Sequence, residues 1–128
     1  MNINKVYSVY YSATGTTQKI ASFLGETIAK KLNVMFEKYN YSLPKRREKI
    51  LEFKENELII CASPTYAGRV PNVMLPYLKN NIKGNGALAV PVVLFGNRNF
   101  DDSLIELRNI LEDNGFRTIA GGGFIGEH

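Results

Sequence analysis

Two uninterrupted apolar runs constrain the fold of this chain more than any other feature. Residues 58–62 read Leu-Ile-Ile-Cys-Ala, and residues 87–95 read Ala-Leu-Ala-Val-Pro-Val-Val-Leu-Phe. A strand with one wet face alternates apolar and polar residues, whereas a strand covered on both faces does not. Both runs are short, rich in β-branched residues and bounded by turn formers, which marks them as central parallel strands. The rest of the chain alternates around them. A strand is predicted over 3–10, then a helix over 16–31 with Ile20, Phe23, Leu24, Ile28 and Leu32 on its inward stripe. A strand follows over 34–39, then a basic connection in which Pro44 opens a short helix carrying Ile50, Leu51 and Phe53. After the strand at 57–62, Pro71 suits the first position of a helix over 73–80, which Pro76 shortens or kinks. A turn at 83–86 leads into the strand at 87–95, where Pro91 should postpone regular pairing. Asp101 or Asp102 caps a helix that runs to Asp113, with Leu104, Leu107, Ile110 and Leu111 inward and Gly115 just past its end. A last strand spans 116–124. This order predicts an α/β fold: a doubly wound, five-stranded parallel sheet in one domain, 1–128.

Composition narrows the function classes. A single cysteine, Cys61, excludes an internal disulfide and a cysteine-ligated iron–sulfur cluster within one copy. Cys61 reads as a buried core residue. The one histidine, His128, argues against a His-based metal site or a Ser-His-Asp triad, so no metal and no catalytic residue is expected. No apolar run approaches the roughly 20 residues of a membrane span, and the N-terminus lacks a leader's cleavage pattern. A cytoplasmic protein with no membrane partner is therefore expected. The net charge of +4 concentrates in Lys45, Arg46, Arg47, Glu48 and Lys49. Without a recognition module this reads as a solvated surface segment, and no nucleic-acid partner is expected.

In doubly wound sheets ligands bind beyond the carboxyl ends of the strands. The loops there, at 11–17, 63–72 and 96–100, carry the unusual chemistry and should converge. Ser12, Thr14, Thr16 and Thr17 place four hydroxyls before a helix, and Gly15 permits a close backbone approach. The first amides of a helix and its positive dipole end attract a phosphate. A plain helix cap would need Thr14 alone. Tyr66 and Phe100 can serve as packing aromatics or as walls for a planar ring. Tyr11 reads as structural, and Arg69 and Arg98 as solvent-facing or ion-paired.

Ser12-Ala13-Thr14-Gly15-Thr16-Thr17 resembles the flavodoxin phosphate loop, usually S/T-x-T-G-x-T. The resemblance covers essentially the whole chain. Residues 63–71 (Ser-Pro-Thr-Tyr-Ala-Gly-Arg-Val-Pro), residues 96–102 (Gly-Asn-Arg-Asn-Phe-Asp-Asp) and the ending Gly126-Glu127-His128 are similar to the flavodoxin-like half of bacterial flavodoxin–ferredoxin fusion proteins. It implies strand order 2-1-3-4-5 and bound FMN. Ser12, Ala13, Thr14, Gly15, Thr16 and Thr17 would surround the phosphate. Pro64, Thr65, Tyr66, Ala67 and Gly68 would line one face of the isoalloxazine. Gly96, Asn97, Arg98, Asn99 and Phe100 would meet the other face and the pyrimidine edge. Departures are Ala13 in place of a hydroxyl, a basic rather than acidic chain, and no cysteine-rich ferredoxin half. A fifth helix, usual in the family, has no counterpart after the last strand. A partly uncovered apolar face over the third to fifth strands is therefore expected, buried by a homodimer or belonging to a chain cut from a longer protein.

The function implied is FMN-dependent electron transfer with a redox protein partner, ferredoxin-like among the candidates. An FMN-dependent NAD(P)H or quinone reductase is the alternative of a second class. A flavin-free interaction domain on the same fold is the third.

Overall fold

The structure, a computed structural model, describes residues 2–12, 15–66, 68–95 and 101–125. Its elements in chain order are β1 (Lys5–Tyr10), α1 (Thr16–Leu32), β2 (Met35–Asn40), α2 (Pro44–Arg47), β3 (Leu51–Glu52), β4 (Glu57–Pro64), α3 (Leu75–Asn80), β5 (Ile82–Lys83), β6 (Leu88–Phe95), α4 (Asp101–Asp113), β7 (Arg117–Thr118) and β8 (Gly122–Ile125). The main sheet is parallel, with order β2-β1-β4-β6-β7, and β8 also pairs with β6. Counting β7 and β8 as one interrupted strand gives the expected 2-1-3-4-5 order. The two apolar runs are the centre of the sheet: β4 is buried from Glu57 to Ser63.

Each face carries its own core. One gathers Val9, Ile59, Cys61, Ala89 and Val93 against α3 and α4 residues such as Leu78, Leu107 and Leu111. The other gathers Val6, Ile60, Ala62 and Val92 under α1. Here the helical stripe differs from the one expected. Phe23 and Leu32 are 66% and 46% exposed, and the residues buried against the sheet are Thr17, Ala21, Gly25 and Ala29. Small side chains let α1 lie close to the strands, and Ile20, Leu24 and Ile28 fill its flank, half-buried.

Several boundaries also move. The helix opened by Pro44 stops at Arg47, leaving Ile50 exposed, Leu51 in β3 and Phe53 buried in the core. The two-residue strands β3 and β5 pair in parallel as a separate ribbon, which the sequence did not announce. Pro71 precedes turns rather than opening a helix, and Pro76 sits in the first turn of α3, where its missing N–H costs nothing. Asp101 and Asp102 fall in the first turn of α4.

Pro91 corrects an expectation most instructively. Pairing of β6 with β4 begins at Leu88 and runs straight through Pro91, which sits opposite Cys61. The carbonyls of Ala87 and Ala89 accept from Arg117 and Ile119 at 2.8 and 2.9 Å. Backbone groups of alternate residues point the same way, so Pro91 turns its donor-free nitrogen toward the outer strand. That is where the outer strand breaks between β7 and β8. Ala120 there has φ 54°, and a Cβ on Gly121 would lie 3.3 Å from Pro91 Cγ.

The uncovered apolar face is narrower than expected. α1 covers β4, and Val92 and Leu94 are buried. Among the described residues, Ile119 (41%) and Phe124 (36%) are exposed at the outer margin. No helix among the described residues is long and apolar enough to cross a membrane.

Candidate functional site

β1, β4 and β6 are neighbours, and their carboxyl ends lie at one edge. Tyr10 at the end of β1 is in register with Ala62, and Pro64 at the end of β4 with Leu94. The chain therefore leaves β1, β4 and β6 at one edge of the sheet.

The first loop is organised by Ser12. Its hydroxyl oxygen accepts the amides of Gly15 at 3.0 Å and Gln18 at 3.2 Å. Its own amide donates to Ser42 Oγ at 2.8 Å, and Ser42 Oγ donates back to the Ser12 carbonyl at 3.1 Å. Gly15 is the residue before α1, in the left-handed region at φ 92°, with no side-chain cap; only glycine takes this conformation without strain. Two of the four orphan amides at the helix start are thus satisfied by Ser12. Among the described residues, those of Thr16 and Thr17 find no acceptor, so the positive helix end retains donors for an anion. Thr17 is itself buried and Thr16 half-buried. Ala13 and Thr14 lie outside the described residues.

The second loop turns between Tyr66 and Arg69, which exchange backbone hydrogen bonds of 2.8 and 3.0 Å. Gly68, at φ 79°, supplies the left-handed corner, and a Cβ there would meet nothing within 4 Å. Thr65 fastens the loop's start: its amide donates to Leu94 O at 2.7 Å, and its hydroxyl lies 2.9 Å from Ser103 Oγ. Tyr66 is 48% exposed. Partial burial and the neighbouring Tyr11 hydroxyl push its phenol up. Tyr11 stacks on Tyr41 at 6.4 Å, and Tyr41 packs on Tyr77 at 5.0 Å, so Tyr11 is tied into the core. Ala67 lies outside the described residues.

Sequence reasoning missed the residue that holds this turn. Glu106 on α4 accepts from Arg69 Nε at 3.1 Å, Arg69 Nη2 at 2.5 Å and the Val70 amide at 2.9 Å. Arg69 is therefore ion-paired, and its side chain leans on α4. The guanidinium holds the Glu106 carboxyl below its ordinary range. The only available signal was i, i+3 spacing, which puts Ser103 and Glu106 on one face of a helix. Gly96, Asn97, Arg98, Asn99 and Phe100, the third loop, lie outside the described residues.

Cys61 is buried, and burial pushes its thiol up to about 12, so it behaves as a small core residue. No cluster of potential metal ligands occurs among the described residues.

This geometry defines a flavodoxin-like α/β fold with an anion-competent helix end at its carboxyl edge. No protein-family model matches the sequence, and no curated protein matches it. Solved structures do. A Streptococcus pneumoniae flavodoxin superposes with a TM-score of 0.68 at 15% identity, over 94% of this chain and 83% of that one. A Fusobacterium nucleatum flavodoxin bound to flavin mononucleotide gives 0.63 at 22% identity, over 91% of this chain and 70% of that one. Rubredoxin oxygen:oxidoreductase from Desulfovibrio gigas gives 0.68 at 17% identity, over 99% of this chain but 32% of that larger one. The chain has the fold these proteins share.

Proposed function

We propose that this chain binds FMN non-covalently at the carboxyl edge of β1, β4 and β6 and serves as an electron-transfer protein. The carrying observation is the Ser12 loop. It fixes Gly15 in a left-handed corner and leaves the Thr16 and Thr17 amides at the positive end of a 17-residue helix. The FMN-bound Fusobacterium nucleatum flavodoxin, which shares this fold, supports the choice of ligand. FMN, when bound, would supply the redox chemistry, so no side chain need act as acid, base or nucleophile. The chain's own residues bind and orient. The Thr16 and Thr17 amides hold phosphate oxygens, Tyr66 covers a ring face, and Glu106 keeps the Tyr66 turn in place. The absorption spectrum of the isolated protein is the test: visible flavin bands released by denaturation as FMN are expected, and a colourless protein that stays colourless with FMN refutes the reading.

A flavin-free interaction domain is the second reading, and one observation favours it: Ser12 alone satisfies two of the loop's amides without a ligand. Self-association through the margin at Ile119 and Phe124 goes with either reading. Sedimentation velocity should then show a dimer that Phe124→Glu returns to monomer, and a monomeric parent protein would remove that proposal.

A further inference from the structure

We propose that residues 43–50 form a docking surface for an acidic redox protein. The role of the partner rests on the FMN electron-transfer reading; the surface itself does not. This strap holds Lys45, Arg46, Arg47 and Lys49 against Glu48, so it carries +3 of the chain's net +4. Arg47 turns inward, its Nη1 3.6 Å from Met74 Sδ. Lys45, Arg46 and Lys49 are exposed, and none of them pairs with a carboxylate among the described residues.

The strap's backbone is pinned. The Tyr39 hydroxyl donates to Arg46 O at 2.5 Å, and Asn81 Nδ2 to Arg47 O at 2.8 Å. Lys49 Nζ lies 5.9 Å from the centre of the Tyr39 ring. Three outward cations on a fixed frame cost little ordering entropy when a partner binds.

Placement gives the surface its meaning. The exchange between Ser42, the residue before the strap, and Ser12 joins the strap to the anion loop, so the charge stands at the phosphate end of the proposed FMN site. Charge there steers a complementary partner and sets its orientation. Leu43 and Ile50, 59% and 53% exposed, flank the cations at the two ends. Apolar anchors beside a charged strip fit a folded protein surface better than a free phosphate or a nucleic-acid backbone.

The experiment measures binding of the flavin-free and the FMN-loaded chain to an acidic plant-type ferredoxin by titration calorimetry at low ionic strength, with basic cytochrome c and duplex DNA as comparison probes. The triple variant Lys45→Glu, Arg46→Glu, Lys49→Glu should weaken ferredoxin binding by about tenfold or more. A triple of equal charge change at exposed sites elsewhere, Lys30→Glu, Lys31→Glu, Lys54→Glu, should bind like the parent. Thermal melts of both triples confirm folding. Added salt should erase the difference between them. Equal losses in the two triples, preference for cytochrome c, or binding to DNA but not ferredoxin would overturn the proposal. Strap-dependent binding by a chain that never takes up FMN keeps the surface and removes the electron-transfer reading.

Discussion

Gly25→Ala is expected to lower stability by about 2–3 kcal/mol, although alanine is the better helix former. A Cβ at this position would lie 2.3 Å from both Phe36 Cε1 and Ser8 Oγ, and 3.0 Å from Phe36 Cζ. Ser8 is locked by its own 2.6 Å hydrogen bond to Ala21 O, so it cannot move aside without losing that bond. Alanine gains up to about 1 kcal/mol of helix propensity over glycine. Overpacking against two sheet side chains and a strained hydrogen bond costs about 3–4 kcal/mol, and it wins. A domain of this size should then melt about 10 °C lower. Phe36→Leu should recover part of the loss in the double variant, because the nearest ring atoms are removed. An unchanged or raised melting temperature in Gly25→Ala would mean that α1 does not approach the sheet as closely as Ala21, Gly25 and Ala29 indicate.

Glu106→Gln should loosen the turn between Tyr66 and Arg69 while leaving the sheet intact. The carboxylate accepts three hydrogen bonds, two from Arg69 and one from the Val70 amide. Arg69 is largely exposed, so solvent screens the charge pair, and the destabilisation should be about 1 kcal/mol. The larger effect is local. With Tyr66 no longer held, FMN affinity should fall about tenfold, read by fluorescence titration. The pH dependence has a definite sign. The folded carboxyl titrates below its ordinary value of 4.5. Its contribution is therefore fully present above that value and is lost as pH falls through the lowered folded value. Melting curves of the parent protein should show this acid loss, and Glu106→Gln should remove that component. Identical acid profiles for the two proteins would show that the carboxylate does not hold the turn.

Much of the architecture was legible because the strongest signals are local. Uninterrupted apolarity at 58–62 and 87–95 specifies strands covered on both faces, and such strands occupy the middle of a parallel sheet. The candidate site's position was read from strand order alone. What failed were inferences in which the partner lies far away in sequence. The periodicity of Ile20, Phe23 and Leu24 pointed to a bulky inward stripe, yet the distance between α1 and the sheet is set by Gly25 meeting Ser8 and Phe36. Pro91 read as a barrier to pairing. In place, its nitrogen faces a gap in the outer strand opened at Ala120 and Gly121. Glu106 was indistinguishable from any solvated helix carboxylate until α4 was placed beside the Tyr66 turn. Leu51 and Ile82, each in a two-residue strand, give too short a pattern to be read at all.

The most direct test of the FMN site compares FMN with riboflavin in a fluorescence-quenching titration of the purified chain. The two ligands share the ring and differ in the phosphate. If the Ser12 loop and the Thr16 and Thr17 amides hold that phosphate, FMN should quench at one equivalent, and riboflavin should bind about a hundredfold more weakly. Equal affinity for both ligands, or no quenching by either, would contradict the account.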